Sequence, residues 1–138
     1  MNESEARRRF GAARVAHLAT VRPDGRPHLV PVVFALDGDL IYSMVDAKPK
    51  KSLGLARLTN IRFEPSVAFL VDAYDEAWER LWWVRADGRA TVIMSGPEHE
   101  NAMRFLRDKY PQYRSSAAPF GASILTRVER WRSWSFDR

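Results

Sequence analysis

Two turn signals near the amino terminus constrain the fold of this chain more than any other feature. Arg-Pro-Asp-Gly at residues 22–25 has its residues in the order that favours a tight reversal, and Asp37-Gly38 is a strong two-residue hairpin signal. The segments around them show a period of two, which is typical of β-strands. The pattern predicts a three-stranded meander formed by residues 15–21, 27–36 and 40–45.

Pro31 lies in the middle of the second predicted strand. A proline has no N–H to donate to a neighbouring strand. We therefore expect this strand to run along a sheet edge, to carry a bulge, or to leave this stretch to a ligand.

The rest of the chain predicts further strands. They cover residues 66–72, 81–86 and 122–136, and we expect the second of them to continue past a bulge at Asp87-Gly88 through residues 89–94. Together with the meander they give a mainly β fold of six or so mostly antiparallel strands, arranged as a small barrel. We expect the whole chain, residues 1–138, to form one domain.

Three short helices complete the prediction. They cover residues 4–13, capped by Ser4, residues 50–58, and residues 95–110, where Ser95 and Glu98 have the spacing of a capping box. Pro111 should stop the last helix, and residues 111–121 read as a loop.

Composition limits the classes of protein that this chain can belong to. Hydrophobic residues make up 46% and charged residues 28%, as in an ordinary soluble globular protein, and cysteine is absent, which excludes disulfides and thiolate chemistry. No stretch resembles a signal peptide or a membrane span, so we expect a cytoplasmic protein. The net charge of +5 suits a phosphate-bearing ligand, nucleic acid or an anionic membrane surface.

A lysine cluster precedes the second predicted helix. Lys48, Lys50 and Lys51 surround Pro49, which suits a first helical turn. Cations at the positive end of a helix dipole are unfavourable by roughly 0.3–1 kcal/mol each, and a bound anion would offset this cost. Arg57 lies further along the same helix. The alternative is a solvated basic face.

Other polar and aromatic residues fit more than one interpretation. Tyr42 and Ser43 could reach the same anion from the end of the third strand, or Tyr42 could simply pack on its neighbours. Trp82 and Trp83 point to opposite faces of their strand, with Arg85 on the face of Trp83. Interleaved aromatic and arginine residues could also stack on nucleic acid, but the cations are spread through the chain, so we expect no nucleic-acid partner.

The sequence offers no catalytic set of its own. His17, His28 and His99 lack the spacing of a metal site and are expected to be structural or exposed. No pair of carboxylates is arranged as an acid and a base, and no serine lies in a nucleophile elbow. This profile is typical of a protein whose ligand performs the chemistry.

The segments "DAKPKKS", "RLTNI" and "LWWVR", together with their order between residues 15 and 93, resemble the flavin and deazaflavin oxidoreductases related to pyridoxamine 5'-phosphate oxidase. The branch of probable coenzyme F420 enzymes is the most similar. The resemblance implies a split β-barrel homodimer with two cofactor sites at the subunit interface. The implied ring-binding residues are Val30, Pro31, Val32, Tyr42 and Ser43, and the implied phosphate-binding residues are Lys48, Lys50, Lys51, Arg57 and Asn60.

The same resemblance implies an activity. Reduced coenzyme F420, an 8-hydroxy-5-deazaflavin, would deliver a hydride from C5 to an unsaturated small-molecule substrate, with Tyr42, His28 or a water as proton donor. A basic protein suits the polyglutamate tail of this cofactor. The alternatives are an FMN-binding oxidoreductase of the same fold, a non-catalytic cofactor carrier, and a basic nucleic-acid module.

Overall fold

The computed structural model describes residues 1–46, 53–115 and 120–136. Seven strands form one sheet: β1 (Ala16–Val21), β2 (Pro27–Val32), β3 (Ala35–Asp37), β4 (Leu40–Asp46), β5 (Ser66–Ala73), β6 (Trp82–Ile93) and β7 (Phe120–Ser135). Their order is β2-β1-β5-β6-β7-β4-β3, and every neighbouring pair is antiparallel. The mainly β, antiparallel fold predicted from the sequence is confirmed.

The helices are α1 (Glu3–Ala12), α2 (Leu53–Phe63), α3 (Pro97–Lys109) and α4 (Pro111–Ser115), with a short 3-10 helix at Trp78–Arg80. Two predicted caps are wrong. Asn2, not Ser4, caps α1, since its side chain accepts a 2.8 Å hydrogen bond from the Glu5 N–H. The residue before α3 is Gly96, which has no side chain to cap with, and Pro97 opens the helix in place of the predicted Ser95 box.

Two further helix predictions need correction. Helix α2 continues to Phe63, beyond the predicted end at residue 58, while its predicted start at Lys50 lies outside the described residues. Residues 111–115 form α4 rather than a loop. Pro111 does follow the end of α3, as expected, because it opens the next helix at a position where its missing N–H costs nothing.

The predicted second strand is two strands in the structure. Its first half, β2, pairs with β1 after the turn at Gly25, while its second half, β3, pairs with β4 through the Gly38 turn. The meander is therefore wrong as predicted, because the two halves lie at opposite edges of the sheet.

Only Val33 and Phe34 separate β2 from β3, and the step from Val32 to Ala35 spans at most about 11 Å. The two sheet edges therefore meet at this link, and the sheet curls into an open barrel. The Tyr110 hydroxyl fixes the link, because it accepts a 3.2 Å hydrogen bond from the Phe34 N–H. The hydroxyl oxygen also lies 2.9 and 3.0 Å from the carbonyl oxygens of Arg14 and Phe34, which share its single proton.

Strand β6 continues through Asp87-Gly88, as predicted. Asp87 pairs with Arg130 and Gly88 with Val128, so the extra residue, Glu129, lies in β7. A Cβ on Gly88 would lie 2.3 Å from the Arg127 carbonyl oxygen, so glycine is required there.

The two faces of the curled sheet bury separate clusters. The inner face, which includes Leu18, Phe69 and Ile124, packs around the barrel axis with Phe10 of α1 and Ile61 of α2. On the outer face, α3 covers β3 and β4. The barrel interior is thus occupied mainly by apolar side chains, and the open stretch between its edges is where a ligand can enter.

Candidate cofactor site

The barrel is open between β2 and the second half of β4. Strand β4 pairs with β3 only through Leu40, Ile41 and Tyr42. Within the part of the chain that the structure describes, residues 43–46 have no strand neighbour on that side. We call the space between this part of β4 and β2 the gap.

The backbone of β2 presents mainly acceptors to the gap. The Arg22 N–H donates a 2.9 Å hydrogen bond to the Arg26 carbonyl oxygen. Bonded pairs alternate along an antiparallel ladder, so the even-numbered residues of β2 bond to β1 and the odd-numbered residues face the gap. Pro27 and Pro31 are two of the latter, so their missing N–H groups cost no ladder bond. Of the three alternatives expected for the strand of Pro31, the structure shows the edge position.

The predicted ring-binding residues of β2 alternate between two faces. Val30 lies opposite Leu18 and Val32 opposite Ala16, so both valines point inward, and both are half-buried. Pro31 is exposed on the outer face. The inner edge of the gap is thus an apolar surface that a planar ring can contact.

A group of basic residues, which we call the basic corner, lies at the end of the gap far from the link. It consists of Arg22, His28 and Arg57. Burial lowers the pKa of His28, and the positive charges of Arg22 and Arg57 lower it further. The Nδ1 atom of His28 is buried without a hydrogen-bond partner among the described residues. A bound anion would add negative charge beside the imidazole and raise this lowered pKa.

Asn60 supports this corner from behind. It lies almost one helical turn after Arg57 in α2 and is 3% exposed. Its Nδ2 donates a 3.0 Å hydrogen bond to Oγ1 of Thr20, which lies opposite His28 in the β1–β2 ladder. The structure therefore brings two of the predicted phosphate-binding residues, Arg57 and Asn60, to the same helix beside β1.

The three lysines of the predicted phosphate site, Lys48, Lys50 and Lys51, lie outside the described residues. The described chain reaches Asp46 at the end of β4 and resumes at Leu53 at the start of α2. Their assignment to a phosphate stays a prediction.

Tyr42 and Ser43 point to opposite faces of β4. The ring of Tyr42 stacks on Phe105 of α3 with a centroid distance of 5.2 Å and is 3% exposed, so packing accounts for this side chain. Burial also raises the pKa of its hydroxyl. Ser43 points inward and is buried, and its Oγ has no hydrogen-bond partner among the described residues. Beside the gap, Ser43 therefore offers a hydroxyl, while the backbone of Tyr42 is paired with Ala35 of β3 and Leu125 of β7.

These features fit a cofactor with a planar ring and a phosphate. The positive charge is concentrated at one end of the gap, and the half-buried valines line its inner edge. Three inward polar atoms, His28 Nδ1, Ser43 Oγ and Thr126 Oγ1, lack partners in the described structure, and the first two lie beside the gap. Buried polar atoms are usually hydrogen-bonded, so these two are candidates for ligand contacts.

A family model described as pyridoxamine 5'-phosphate oxidase matches residues 3–135, which is nearly the whole chain. The chain belongs to the pyridoxamine 5'-phosphate oxidase family. The open barrel described above is accordingly the split barrel of that family, and the family includes flavin-binding oxidoreductases.

Solved structures agree with the pyridoxamine 5'-phosphate oxidase fold. A conserved hypothetical protein of Mycobacterium tuberculosis superposes with a TM-score of 0.79 at 23% identity, over 99% of this chain and 86% of the other. A FAD-binding protein of Mesorhizobium loti gives 0.74 at 20%, over 96% and 92%. A heme storage protein of Vibrio cholerae gives 0.70 at 13%, over 96% and 93%. A comparison with curated proteins gives no match.

Sequence reasoning missed Thr20 and Arg22 as members of the site and did not connect His28 with Arg57. The turn at residues 22–25 contained the signal, since a tight hairpin at that point places Thr20 opposite His28. The other histidine inside the protein, His99, is structural, as expected, because its Nδ1 lies 2.9 Å from Ser123 Oγ.

The described residues lack a metal-ligand cluster and a membrane-spanning helix. No group of three or more potential metal ligands lies together in residues 1–46, 53–115 and 120–136. In the same part of the chain, no helix has both the length and the hydropathy that a membrane span requires.

Proposed function

We propose that this protein binds coenzyme F420 in the gap and is an oxidoreductase that acts on an unsaturated small molecule. The observation that carries the proposal is the basic corner, where the charges of Arg22 and Arg57 act on the half-buried His28. The cofactor phosphate would be held there by Arg57 and by the preceding lysines, Lys48, Lys50 and Lys51.

The ring would lie between the two strands that bound the gap. Val30 and Val32 would contact one face of it, and the outward carbonyl groups of β2 would accept hydrogen bonds from ring N–H groups. On the other side, the hydroxyl of Ser43 would contact the ring, whereas the backbone of Tyr42 is paired with β3 and β7. Asn60 would act indirectly, by holding α2 against β1.

The protein itself would position the cofactor and the substrate and would supply one proton. When bound, the reduced deazaflavin provides a hydride from C5. His28 is the favoured proton donor of the three candidates, because Tyr42 is buried beneath α3. Burial and the charges of Arg22 and Arg57 lower the pKa of His28, and an anion bound beside the imidazole would raise that pKa and favour its protonated form.

We also propose that two copies pair through the outer face of the sheet. Large apolar side chains are exposed there, with exposed fractions of 67% for Leu29, 43% for Trp134 and 48% for Val15, which precedes β1. Exposed apolar residues gathered on one sheet face are typical of an interface.

Sedimentation should show a dimer, and Leu29→Glu with Trp134→Glu should give a folded monomer. A monomeric wild type would contradict the pairing.

An FMN-binding oxidoreductase is the second candidate function. The similar fold of the FAD-binding protein of Mesorhizobium loti favours it, and FMN would present a phosphate to the same corner. Binding without turnover would instead indicate a cofactor carrier, the alternative for which the heme storage protein of Vibrio cholerae is a structural parallel.

Titration of the purified protein with F420 and with FMN separates these candidates. We expect a micromolar dissociation constant for F420 and weaker binding of FMN, and yellow protein that releases flavin on denaturation would favour FMN instead. Lys48→Ala with Lys51→Ala should weaken binding at least tenfold, while Arg132→Ala, an exposed cation on the outer face of β7, should not. An unchanged dissociation constant in the double variant would contradict the assigned phosphate site. If the protein bound neither cofactor, the proposed function would be wrong.

A further inference from the structure

A groove on the outer face of β6 and β7 has a composition that the proposed cofactor function does not use. Its volume is about 140 Å³. It is lined by Arg89, Thr91, Ile93, Glu98, Leu125 and Arg127. We propose that this groove binds a short-chain monocarboxylate, with the carboxylate between the two arginines and the hydrocarbon chain along the apolar end.

The polar end of the groove holds two like charges in direct opposition. Arg89 and Arg127 are cross-strand partners in the β6–β7 ladder. Like charges in this position repel each other. Among the residues that the structure describes, neither guanidinium forms a hydrogen bond or an ion pair. The charge of Arg89 contributes to the lowered pKa of Glu64, which precedes β5, but the Glu64 carboxylate accepts a 3.0 Å hydrogen bond from the Ser66 N–H and forms no ion pair with Arg89.

The same two strands contain a second arginine pair that shows the alternative. Arg85 lies opposite Arg132. Here Asp87 accepts two hydrogen bonds from the Arg85 guanidinium, at 2.7 and 3.2 Å. The chain thus provides its own carboxylate for one arginine pair, whereas at Arg89 and Arg127 the groove leaves room for a carboxylate from outside.

The groove becomes apolar away from the arginines. Thr91 lies opposite Leu125, one step along the ladder, and Ile93 follows on the same face. Glu98, in the first turn of α3, borders the groove and opposes a second negative charge on the ligand. This gradient selects a ligand with one oxyanion head and an apolar chain, and the small volume limits the chain to a few carbons.

This site is separate from the gap. The gap faces the barrel interior between β2 and β4, while Arg89, Thr91 and Arg127 are exposed on the opposite side of the sheet. If the protein bound no cofactor in the gap, the groove proposal would therefore be unaffected. If the groove bound no carboxylate, the cofactor proposal would be unaffected.

Titration of the ¹⁵N-labelled full chain, followed by amide chemical shifts, tests the proposal with four probes. Hexanoate has both the carboxylate head and the hydrocarbon chain. Phosphate has an oxyanion head without a chain, 1-hexanol has a chain without a charged head, and adipate has a carboxylate at each end. We expect hexanoate to shift the amides of Thr91 and Leu125 and to bind at least threefold more tightly than each other probe. Equal binding of phosphate or adipate would overturn the ligand class, and equal binding of hexanol would overturn the role of the arginines.

Variants give the second arm of the test. Arg89→Gln and Arg127→Gln should each weaken hexanoate binding at least fivefold, with the rest of the amide spectrum unchanged. Arg132→Gln is the matched control, because it removes a cation from the other arginine pair and should have no effect. Unchanged hexanoate binding in both groove variants would overturn the proposal.

Discussion

The side-chain amide of Asn60 donates a 3.0 Å hydrogen bond to the hydroxyl of Thr20, and both side chains are almost fully buried. This bond joins α2 to β1 directly behind the basic corner, since Thr20 lies opposite His28 and Asn60 shares its helix with Arg57. The position of the Arg57 side chain therefore depends on how α2 packs against β1.

Breaking that bond should destabilise the protein in a way that depends on both partners. Thr20→Val and Asn60→Leu each leave one buried polar group without a partner, which should cost about 1–3 kcal/mol of unfolding free energy. The double variant should lose less than the sum of the two, since no orphaned group remains. Urea unfolding of all four proteins measures the coupling. Strictly additive losses would show that the bond contributes nothing.

The affinity for an anionic cofactor should rise as the pH falls. The pKa of His28 is lowered in the free protein by burial and by Arg22 and Arg57. A bound phosphate adds negative charge and raises that pKa, so binding takes up a proton and tightens at pH values below the His28 pKa of the complex. Calorimetry from pH 5.5 to 8 measures this slope. His28→Gln should retain only the part of the slope that belongs to the ligand, and an identical slope in the variant would contradict the prediction.

A methyl group at position 88 should be poorly tolerated. The Cβ of Gly88→Ala would lie 2.3 Å from the Arg127 carbonyl oxygen, a backbone atom that cannot move without disrupting β7. We expect a loss of about 1–3 kcal/mol or more in unfolding free energy. Gly11→Ala, in α1, is the control, since its nearest contact is a Leu36 side-chain carbon at 3.4 Å and alanine favours the helix. Equal effects at the two positions would contradict the steric explanation.

Removing the charge of Lys109 should stabilise the protein near neutral pH. Burial, with a contribution from Arg14, lowers the pKa of Lys109 from 10.5 to about 8, although the ring of Phe34, 3.8 Å from Nζ, favours the cation and partly opposes this shift. The unfolded chain then binds more protons between about pH 8 and 10.5, so stability should rise with pH across this window.

Lys109→Met should abolish that rise and unfold at higher urea than the wild type at pH 7. The measurement is the difference in unfolding free energy between the two proteins at pH 7 and pH 10. A difference that does not change with pH would show that the pKa of Lys109 is not shifted by folding.

Local sequence signals predicted most strands but could not predict where the second one divides. Val32 and Phe34 both point inward, so the period of two continues through the break without a slip. The division arises because β1 and β4, the partners of the two halves, lie far apart in the sheet order. That is a long-range property. The continuation of β6 past Asp87-Gly88, by contrast, was predictable because its signal is local, although the extra residue of the bulge, Glu129, lies in β7.

The candidate site shows the same limit. The chemistry of Pro31 left three alternatives, of which the structure shows the sheet edge, and the helical location of Arg57 followed from spacing. The sequence did not show that α3 would cover the outer face of β4, and this packing decides that Tyr42 is buried against Phe105 rather than free to contact a ligand. Tertiary packing decides which face of a strand is covered by a helix, and the residues of the strand alone do not determine it.

The link at Val33 and Phe34 has a mechanical consequence. Because the two strand edges are pinned together at this point, they can separate only as a V, narrow beside the link and widest at its far ends, where His28 and Asp46 lie. When the two edges move apart, the charged end of the gap therefore widens more than the apolar end beside the link. A ligand that is flat at one end and bulky at the other can be accommodated in only one orientation.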